Sequence, residues 1–228
     1  MKVALVITGH MRCWKQLFPY FKHKYILPYD PDIYISTWNT EGWWKWGSFY
    51  EQSPSINVDE IIEAYKPVDI NIEDFNSYKD SFESRSKYFT NTIGYPVNAI
   101  SMIYKWYDGI RLIKDDYDLV IRLRTDVEYL DPLPDFDPDK FYAPHHPGLN
   151  QGGLGDMLHA SSYDKMKTFG DLYINLEYVY NQTNMLCPHL ITQKYIEMNN
   201  FDLVEFKCNY NLHNTPFGRH QDVTKFIK

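Results

Sequence analysis

One short segment near the amino terminus limits the fold most strongly. Residues 3–8 read Val-Ala-Leu-Val-Ile-Thr, a continuous apolar and β-branched run that ends at Gly9. A strand that is apolar on both faces is typical of a parallel sheet covered on both sides, whereas a half-exposed strand alternates apolar and polar residues. The chain must therefore provide helices that cover both faces of a sheet.

Strand-like and helix-like patterns alternate after this run. In chain order they are a helix at 14–24, a strand at 32–37, a helix at 58–65 capped by Asn57, a strand at 68–72, a helix at 97–113 and a strand at 119–121. The helix at 97–113 is the clearest, because its apolar residues recur at spacings of three and four. This alternation predicts an α/β fold with a mostly parallel central sheet flanked by helices.

The alternation of strand-like and helix-like patterns stops after Glu128, where a Pro/Asp-rich loop begins. The elements predicted beyond it are a strand at 141–143, a glycine-rich stretch at 148–155, helices at 162–172 and 188–198, and a strand at 203–206. A length of 228 residues suits one core. We predict one domain over 1–228, with a nucleotide-binding half at 1–128 and an acceptor-side half at 129–228.

Charge and cysteine content exclude several functional classes. The net charge is −7 without a Lys/Arg block, so a nucleic-acid partner is not expected. Three cysteines without metal-ligand spacing favour free thiols in a reducing compartment. The first apolar run is too short for a signal peptide, and no run reaches the roughly 20 apolar residues of a membrane helix. We expect a soluble cytoplasmic chain, peripheral to a membrane at most.

The most informative motif follows the strand at 119–121. If the backbone stays extended, Arg122, Arg124, Asp126 and Glu128 point to the same side at period two. Two carboxylates suit a hard divalent cation, Mn or Mg, and two guanidiniums suit phosphate oxygens. The motif predicts a site for a metal and a diphosphate. A solvent-exposed ladder of Arg–carboxylate pairs is the alternative.

Two further segments end the first and second predicted strands. Gly9 permits a close backbone approach, and Arg12 is a candidate phosphate ligand, although both would also suit an ordinary turn with a solvated arginine. Thr37 and Trp38 are candidates for binding a base or ribose. The alternative for Trp38 is a residue of the core.

Asp156 follows the glycine-rich segment 152–155 and is the candidate general base. A group transfer to a hydroxyl needs a base such as a carboxylate to take the proton of that hydroxyl, and glycines allow the molecule that carries it to approach. An aspartate that caps a turn is the alternative.

The order of four motifs resembles a family. Ile-Thr-Gly-His-Met-Arg at 7–12, Asp-Ile-Tyr-Ile-Ser-Thr-Trp at 32–38, Tyr-Asp-Leu-Val-Ile-Arg-Leu-Arg-Thr-Asp at 117–126 and a Gly-Asp loop at 155–156 occur in sequence. Together they are similar to small bacterial and viral glycosyltransferases of the GT-A type, such as those of lipopolysaccharide synthesis. The likeness extends to about Tyr173.

The resemblance implies a single GT-A-like (Rossmann-like) domain and a metal-dependent hexosyl or deoxyhexosyl transfer in polysaccharide biosynthesis. The donor would be a nucleoside-diphosphate sugar, and the acceptor a glycan or glycolipid hydroxyl. Asp126 and Glu128 would hold the metal as a DxD-like motif, with Glu128 standing where the family has Asp. The nucleotide would lie near Gly9, Arg12, Thr37 and Trp38. The alternatives are a nucleotidyltransferase that makes nucleotide-sugars and a non-catalytic carbohydrate-binding domain.

Overall fold

A computed structural model describes residues 1–42, 44–45, 48–49, 53–146, 153–213 and 221–222. Residues 148–152 of the predicted glycine-rich stretch lie outside the described residues.

The strands of this part of the chain are β1 (Val3–Gly9), β2 (Asp32–Trp38), β3 (Trp44–Lys45), β4 (Ser48–Phe49), β5 (Asp69–Glu73), β6 (Leu119–Leu123), β7 (Val127–Tyr129), β8 (Phe141–Pro144), β9 (Leu158–Ser161), β10 (Leu203–Phe206), β11 (Tyr210–Leu212) and β12 (Gln221–Asp222). The helices are α1 (Trp14–Phe21), α2 (Leu27–Tyr29), α3 (Val58–Tyr65), α4 (Phe75–Ser86), α5 (Pro96–Arg111), α6 (Tyr163–Gly170), α7 (Leu176–Thr183) and α8 (Pro188–Met198). A π-helical turn, Lys22–Ile26, joins α1 to α2.

Seven strands form the central sheet, in the order β10-β8-β9-β6-β1-β2-β5. The pairs β6–β1, β1–β2, β2–β5 and β8–β10 are parallel, and β9 runs antiparallel between β6 and β8. The fold class is confirmed as α/β with a mostly parallel sheet. Strands from both sides of residue 128 enter this one sheet, so its core is continuous across the predicted halves.

Both faces of the sheet are covered, as the apolar run at 3–8 requires. Ala4 and Val6 point to the face covered by α4 to α8. Leu5 and Ile7 point to the opposite face, where α1 and α3 pack. All four side chains have at most 1% exposure, so alternate residues of one strand enter two separate apolar clusters.

The helices with the strongest sequence patterns agree best with the structure. Helix α3 has the predicted bounds, and the Asn57 side chain accepts a hydrogen bond from the Glu60 backbone N–H at 3.3 Å. Helix α5 buries the aliphatic residues of its predicted apolar face, whereas Tyr104 and Tyr107 of that face are half-buried. The sequence patterns do not predict α4, α7 or β9, and α4 buries a single side chain, that of Phe82.

Backbone geometry beyond β6 differs from the prediction. The extended conformation does not continue to Glu128, because β6 ends at Leu123 and a turn occupies Thr125 and Asp126. Strand β7 then joins a separate three-stranded sheet in the order β12-β11-β7. Strand β6 ends with Leu123 opposite Ile7, two residues before the end of its parallel partner β1 at Gly9.

A buried polar network fixes α5 to the sheet. Lys105 of α5 is fully buried and donates to Glu73 at the end of β5. Asp108 accepts hydrogen bonds from Ser36 of β2 at 2.5 Å and from Asn71 of β5 at 2.9 Å. Each buried charge therefore has an opposite charge or a donor beside it, as buried polar groups require. Among the described residues, no helix has the length and apolarity to cross a bilayer.

Candidate active site

The site lies where the connections of the sheet change direction. Strand β2, which follows α1, pairs with β1 on one side. Strand β6, which follows α5, pairs with β1 on its other side. In open α/β sheets, ligands bind outside the carboxyl ends of the strands at such a switch point. Arg12 follows β1 and Arg124 follows β6, so both lie at this edge.

Asp126 joins the two arginines. Its Oδ1 accepts from Arg124 Nε at 2.9 Å, and its Oδ2 accepts from Arg124 NH2 at 2.8 Å and from Arg12 NH1 at 3.3 Å. The Asp126 side chain is 2% exposed, whereas those of Arg12 and Arg124 are 17% and 18% exposed. The carboxylate therefore lies beneath two guanidiniums that reach the surface.

Asp156 lies beside the same arginine. Arg124 NH1 donates to Asp156 Oδ2 at 3.2 Å, so one guanidinium bridges both aspartates. The structure thus brings together four residues that the sequence predicts for one site: Arg12, Arg124, Asp126 and Asp156.

Arg122 occupies a different position from Arg124. Its side chain is buried on the α5 face, where Nε donates to Thr8 Oγ1 at 2.8 Å and the guanidinium lies 4.6 Å from the Trp106 ring. NH1 donates to the backbone carbonyl of Asp156. Arg122 therefore holds the segment that carries Asp156, and its contact with a donor stays a prediction.

The loops after β1 and β6 are tied to each other. Thr125 Oγ1 donates to the carbonyls of Arg12 at 3.1 Å and His10 at 3.3 Å. Gly9 has φ +96°, a left-handed conformation that favours glycine, and a Cβ there would meet nothing within 4 Å. The β1 loop is thus fixed by Thr125 and leaves open space at Gly9. The motif spacing did not reveal the role of Thr125, although the residue lies between two predicted site residues.

Burial and neighbouring charges shift the pKa values of this cluster, and on the two aspartates they act in opposite directions. Burial alone raises the pKa of Asp126, but Arg124 and Arg12 outweigh it and hold that pKa below its ordinary value. Burial likewise raises the pKa of Asp156, yet Arg124, His189 and Arg122 bring it well below the usual range. Burial lowers the pKa of Arg122 to about 9 and that of His10 to about 3. At neutral pH the cluster therefore contains three cations, two anions and a neutral His10.

Glu128 lies two residues after Asp126, in strand β7 of the smaller sheet. Its Oε2 accepts from Asn211 Nδ2 at 3.1 Å and is 3.0 Å from His213 Nε2. The His213 backbone N–H donates to the Asp126 carbonyl at 2.8 Å, which joins β11 to the turn. The Asp126 carboxylate is thus directed to arginines and Glu128 to a histidine and an amide. This arrangement does not fit a metal ion held jointly by the two carboxylates.

Thr37 and Trp38 lie at the end of β2 and are both buried. Thr37 Oγ1 donates to the carbonyl of Trp38 at 3.1 Å. The Trp38 ring packs against an aromatic cluster and has Lys105 Nζ 4.2 Å from its centre. The cluster comprises Phe75, Tyr78, Phe82 and Tyr104. Their predicted contact with a nucleotide stays a prediction, and the burial of Trp38 favours a packing role.

We expect Trp38→Phe to lower the free energy of unfolding by about 1–3 kcal/mol, since a fully buried ring system loses volume and contacts. Nucleotide affinity should not change, because no face of the ring is exposed. Urea unfolding and calorimetric titration of the same preparation measure both effects. A loss of affinity at unchanged stability would assign Trp38 to the donor site.

A groove of about 660 Å³ lies at the opposite edge of the sheet, between α1 and α3. It is bordered by the first residues of β2, Asp32 and Ile33, and by Phe18, Lys22 and Tyr65. Among the residues that the structure describes, no arginine borders it. We therefore place the candidate site at the switch point and not in this groove, because the paired guanidiniums there suit an anionic ligand and a groove volume alone does not.

Comparison with known proteins gives a distant likeness. No protein-family model matches the chain, and no curated protein sequence matches it. Among solved structures, the chain is similar to the crystal structure of mouse xyloside xylosyltransferase 1 in its apo form. The TM-score is 0.44 at 9% sequence identity, over 90% of this chain and 84% of that chain. A likeness of this size assigns no activity.

Proposed function

We propose that the chain is a glycosyltransferase that uses a nucleoside-diphosphate sugar as donor and a glycan hydroxyl as acceptor. The supporting observation is the Arg12–Arg124 pair, held by Asp126 at the switch point between β1 and β6. Guanidiniums bind phosphate oxygens through two parallel hydrogen bonds, which gives both charge and orientation. The motif order that resembles glycosyltransferases agrees with this placement.

The proposed reaction uses the arginines on the leaving group. The acceptor oxygen forms a bond to the anomeric carbon of the sugar as the bond from that carbon to the β-phosphate oxygen breaks. The electron pair passes to the diphosphate, where Arg12 and Arg124 stabilise the developing charge. The proton of the acceptor hydroxyl passes to Asp156, the proposed base.

Arg124 links donor binding to that base. Arg124 holds the pKa of Asp156 low, which makes the carboxylate a weak base. A diphosphate that shares Arg124 weakens its hold on Asp156, so the pKa of Asp156 rises when the donor is bound.

We expect Asp156→Asn to keep or tighten donor binding, because it removes a negative charge beside the diphosphate while an amide oxygen still accepts from Arg124. Turnover should fall by about a hundredfold or more, the usual contribution of a general base. Calorimetry with a donor and a steady-state assay separate the two effects. Loss of binding would place Asp156 in the donor pocket, and unchanged turnover would remove its role as base.

The function itself is tested with UDP-, GDP-, CDP-, ADP- and dTDP-sugars, each incubated with simple glycosides, with and without Mn or Mg. Mass spectrometry should detect a glycoside larger by one sugar, together with the matching nucleoside diphosphate. Release of pyrophosphate from a nucleoside triphosphate and a sugar phosphate would instead identify a nucleotidyltransferase. The absence of both products, together with the absence of nucleotide binding, would contradict the proposal.

A further inference from the structure

We infer that Arg12 and Arg124 bind the donor diphosphate directly and that this binding needs no divalent cation. The inference rests on the proposed function, since it concerns how the same site holds its donor. The sequence predicts a metal ion bound by the carboxylates at 126 and 128. The inference differs from that prediction because of the partners that these two carboxylates have in the structure.

Asp126 already has cationic partners on both oxygens. Oδ1 accepts one hydrogen bond from a guanidinium and Oδ2 accepts two. A metal ligated by either oxygen would lie beside both Arg12 and Arg124, where like charges repel. The 2% exposure of the carboxylate also leaves little room for the water ligands that Mg²⁺ usually retains.

The neighbouring donors do not complete a metal site. Glu128 Oε2 is shared by Asn211 and His213, and Asp156 is paired with Arg124. Within the described ranges, no three His, Cys, Asp or Glu side chains are grouped so that they could hold a metal ion. Asp126 lies in the turn and is paired with arginines, whereas Glu128 lies in β7 and contacts Asn211 and His213. The two carboxylates therefore have different partners, although only one residue separates them in sequence.

The arginines retain donors for a phosphate. Each guanidinium has five N–H donors. Within the described part of the chain, Arg124 uses three of them, on Asp126 and Asp156, which leaves two. Arg12 uses two, on Asp126 and the carbonyl of Gly42, which leaves three. Asp126 thus orients the two guanidiniums and still leaves N–H groups for phosphate oxygens.

The charge balance also favours an anion. Arg12 and Arg124 balance the charges of Asp126 and Asp156, and the buried Arg122, whose charge is coupled to Asp156, leaves the five side chains with a net charge of +1. An incoming diphosphate thus meets a positive site whose guanidiniums are already held in place. In many sites a cation neutralises phosphate oxygens, and here the arginines supply that charge.

Calorimetric titration of the full chain tests the inference with UDP, GDP, CDP, ADP and dTDP, each in EDTA and in Mg²⁺ or Mn²⁺. We expect at least one nucleotide to bind in EDTA with a Kd within about threefold of its value with metal. Arg124→Lys should weaken that binding at least tenfold in EDTA, because an ammonium keeps the charge and loses the fork. The control is Arg111→Lys, which changes an exposed arginine paired with Asp171 and should leave the Kd unchanged.

Binding that occurs only with Mg²⁺ or Mn²⁺ would overturn the inference and leave the proposed function standing. Equal affinity of wild type and Arg124→Lys in EDTA would also overturn it, because the arginine fork would then not hold the phosphate. If none of the five nucleotides binds in any buffer, the proposed function falls together with the inference.

Discussion

Replacing Arg124 with alanine should weaken nucleoside diphosphate binding by at least a hundredfold. Arg124 bridges Asp126 and Asp156, so its removal turns a local charge of +1 into zero, leaves Asp126 paired with Arg12 alone and removes the guanidinium beside Asp156. Hydrogen bonds to charged groups contribute about 1.5–3 kcal/mol each, and every 1.4 kcal/mol is tenfold in Kd. Loss of a two-bond fork therefore accounts for the expected factor.

Calorimetry and thermal unfolding should be measured on the same Arg124→Ala preparation, so that misfolding is distinguished from lost binding. Arg111→Ala is the matched control, since it removes an exposed Arg–Asp pair far along α5 and should retain wild-type affinity. A folded Arg124→Ala variant with a Kd within threefold of wild type would show that the diphosphate does not bind at this arginine.

Asp126→Ala should have the largest effect on stability among single changes in the site, about 3–5 kcal/mol in the free energy of unfolding. The change leaves Arg12 and Arg124 without their shared carboxylate, and breaking a buried ion pair by removing one partner is strongly destabilising. Asp164→Ala is the control, because its pair with Lys167 is exposed and screened by solvent, so its loss should lower the stability far less. Equal losses in the two variants, by urea unfolding, would contradict the account.

The effect of Asp126 should depend on pH in a defined direction. The folded-state pKa of Asp126 lies below its ordinary value of 3.8. A group with a lowered folded pKa stabilises the protein above the unfolded pKa, and that stabilisation is lost as pH falls through the folded pKa. The difference in stability between wild type and Asp126→Asn should therefore be constant near neutral pH and shrink below about pH 3.8. A difference that grows on acidification would contradict the pairing.

Periodicity predicts the elements that bury a continuous face. Strand β1 is apolar on both sides and α5 has apolar residues at helical spacing, so burial alone is enough to define both. Helix α4 is polar and buries only Phe82, which leaves no periodic signal. The antiparallel strand β9 is four residues long and contains His159 and Ser161, whose burial depends on partners distant in sequence.

The sequence predicts which residues lie together at the strand ends, but it does not predict the turn after β6. The sequence places Arg12 and Arg124 at the ends of neighbouring parallel strands, and the sheet brings them onto one carboxylate. Period-two alternation holds only while a strand continues, and β6 ends at Leu123. The turn that follows puts Asp126 under the arginines and Glu128 in another sheet. Its geometry depends on hydrogen bonds from Thr125 to the β1 loop, which no local pattern contains.

The most direct test of the account is a crystal structure of the chain with the nucleoside diphosphate that binds most tightly. The account predicts phosphate oxygens within hydrogen-bonding distance, about 2.7–3.2 Å, of the Arg12 and Arg124 guanidiniums at the carboxyl ends of β1 and β6. Asp126 should still lie beneath both arginines. A diphosphate bound instead in the groove between α1 and α3, with Arg12 and Arg124 untouched, would contradict the account.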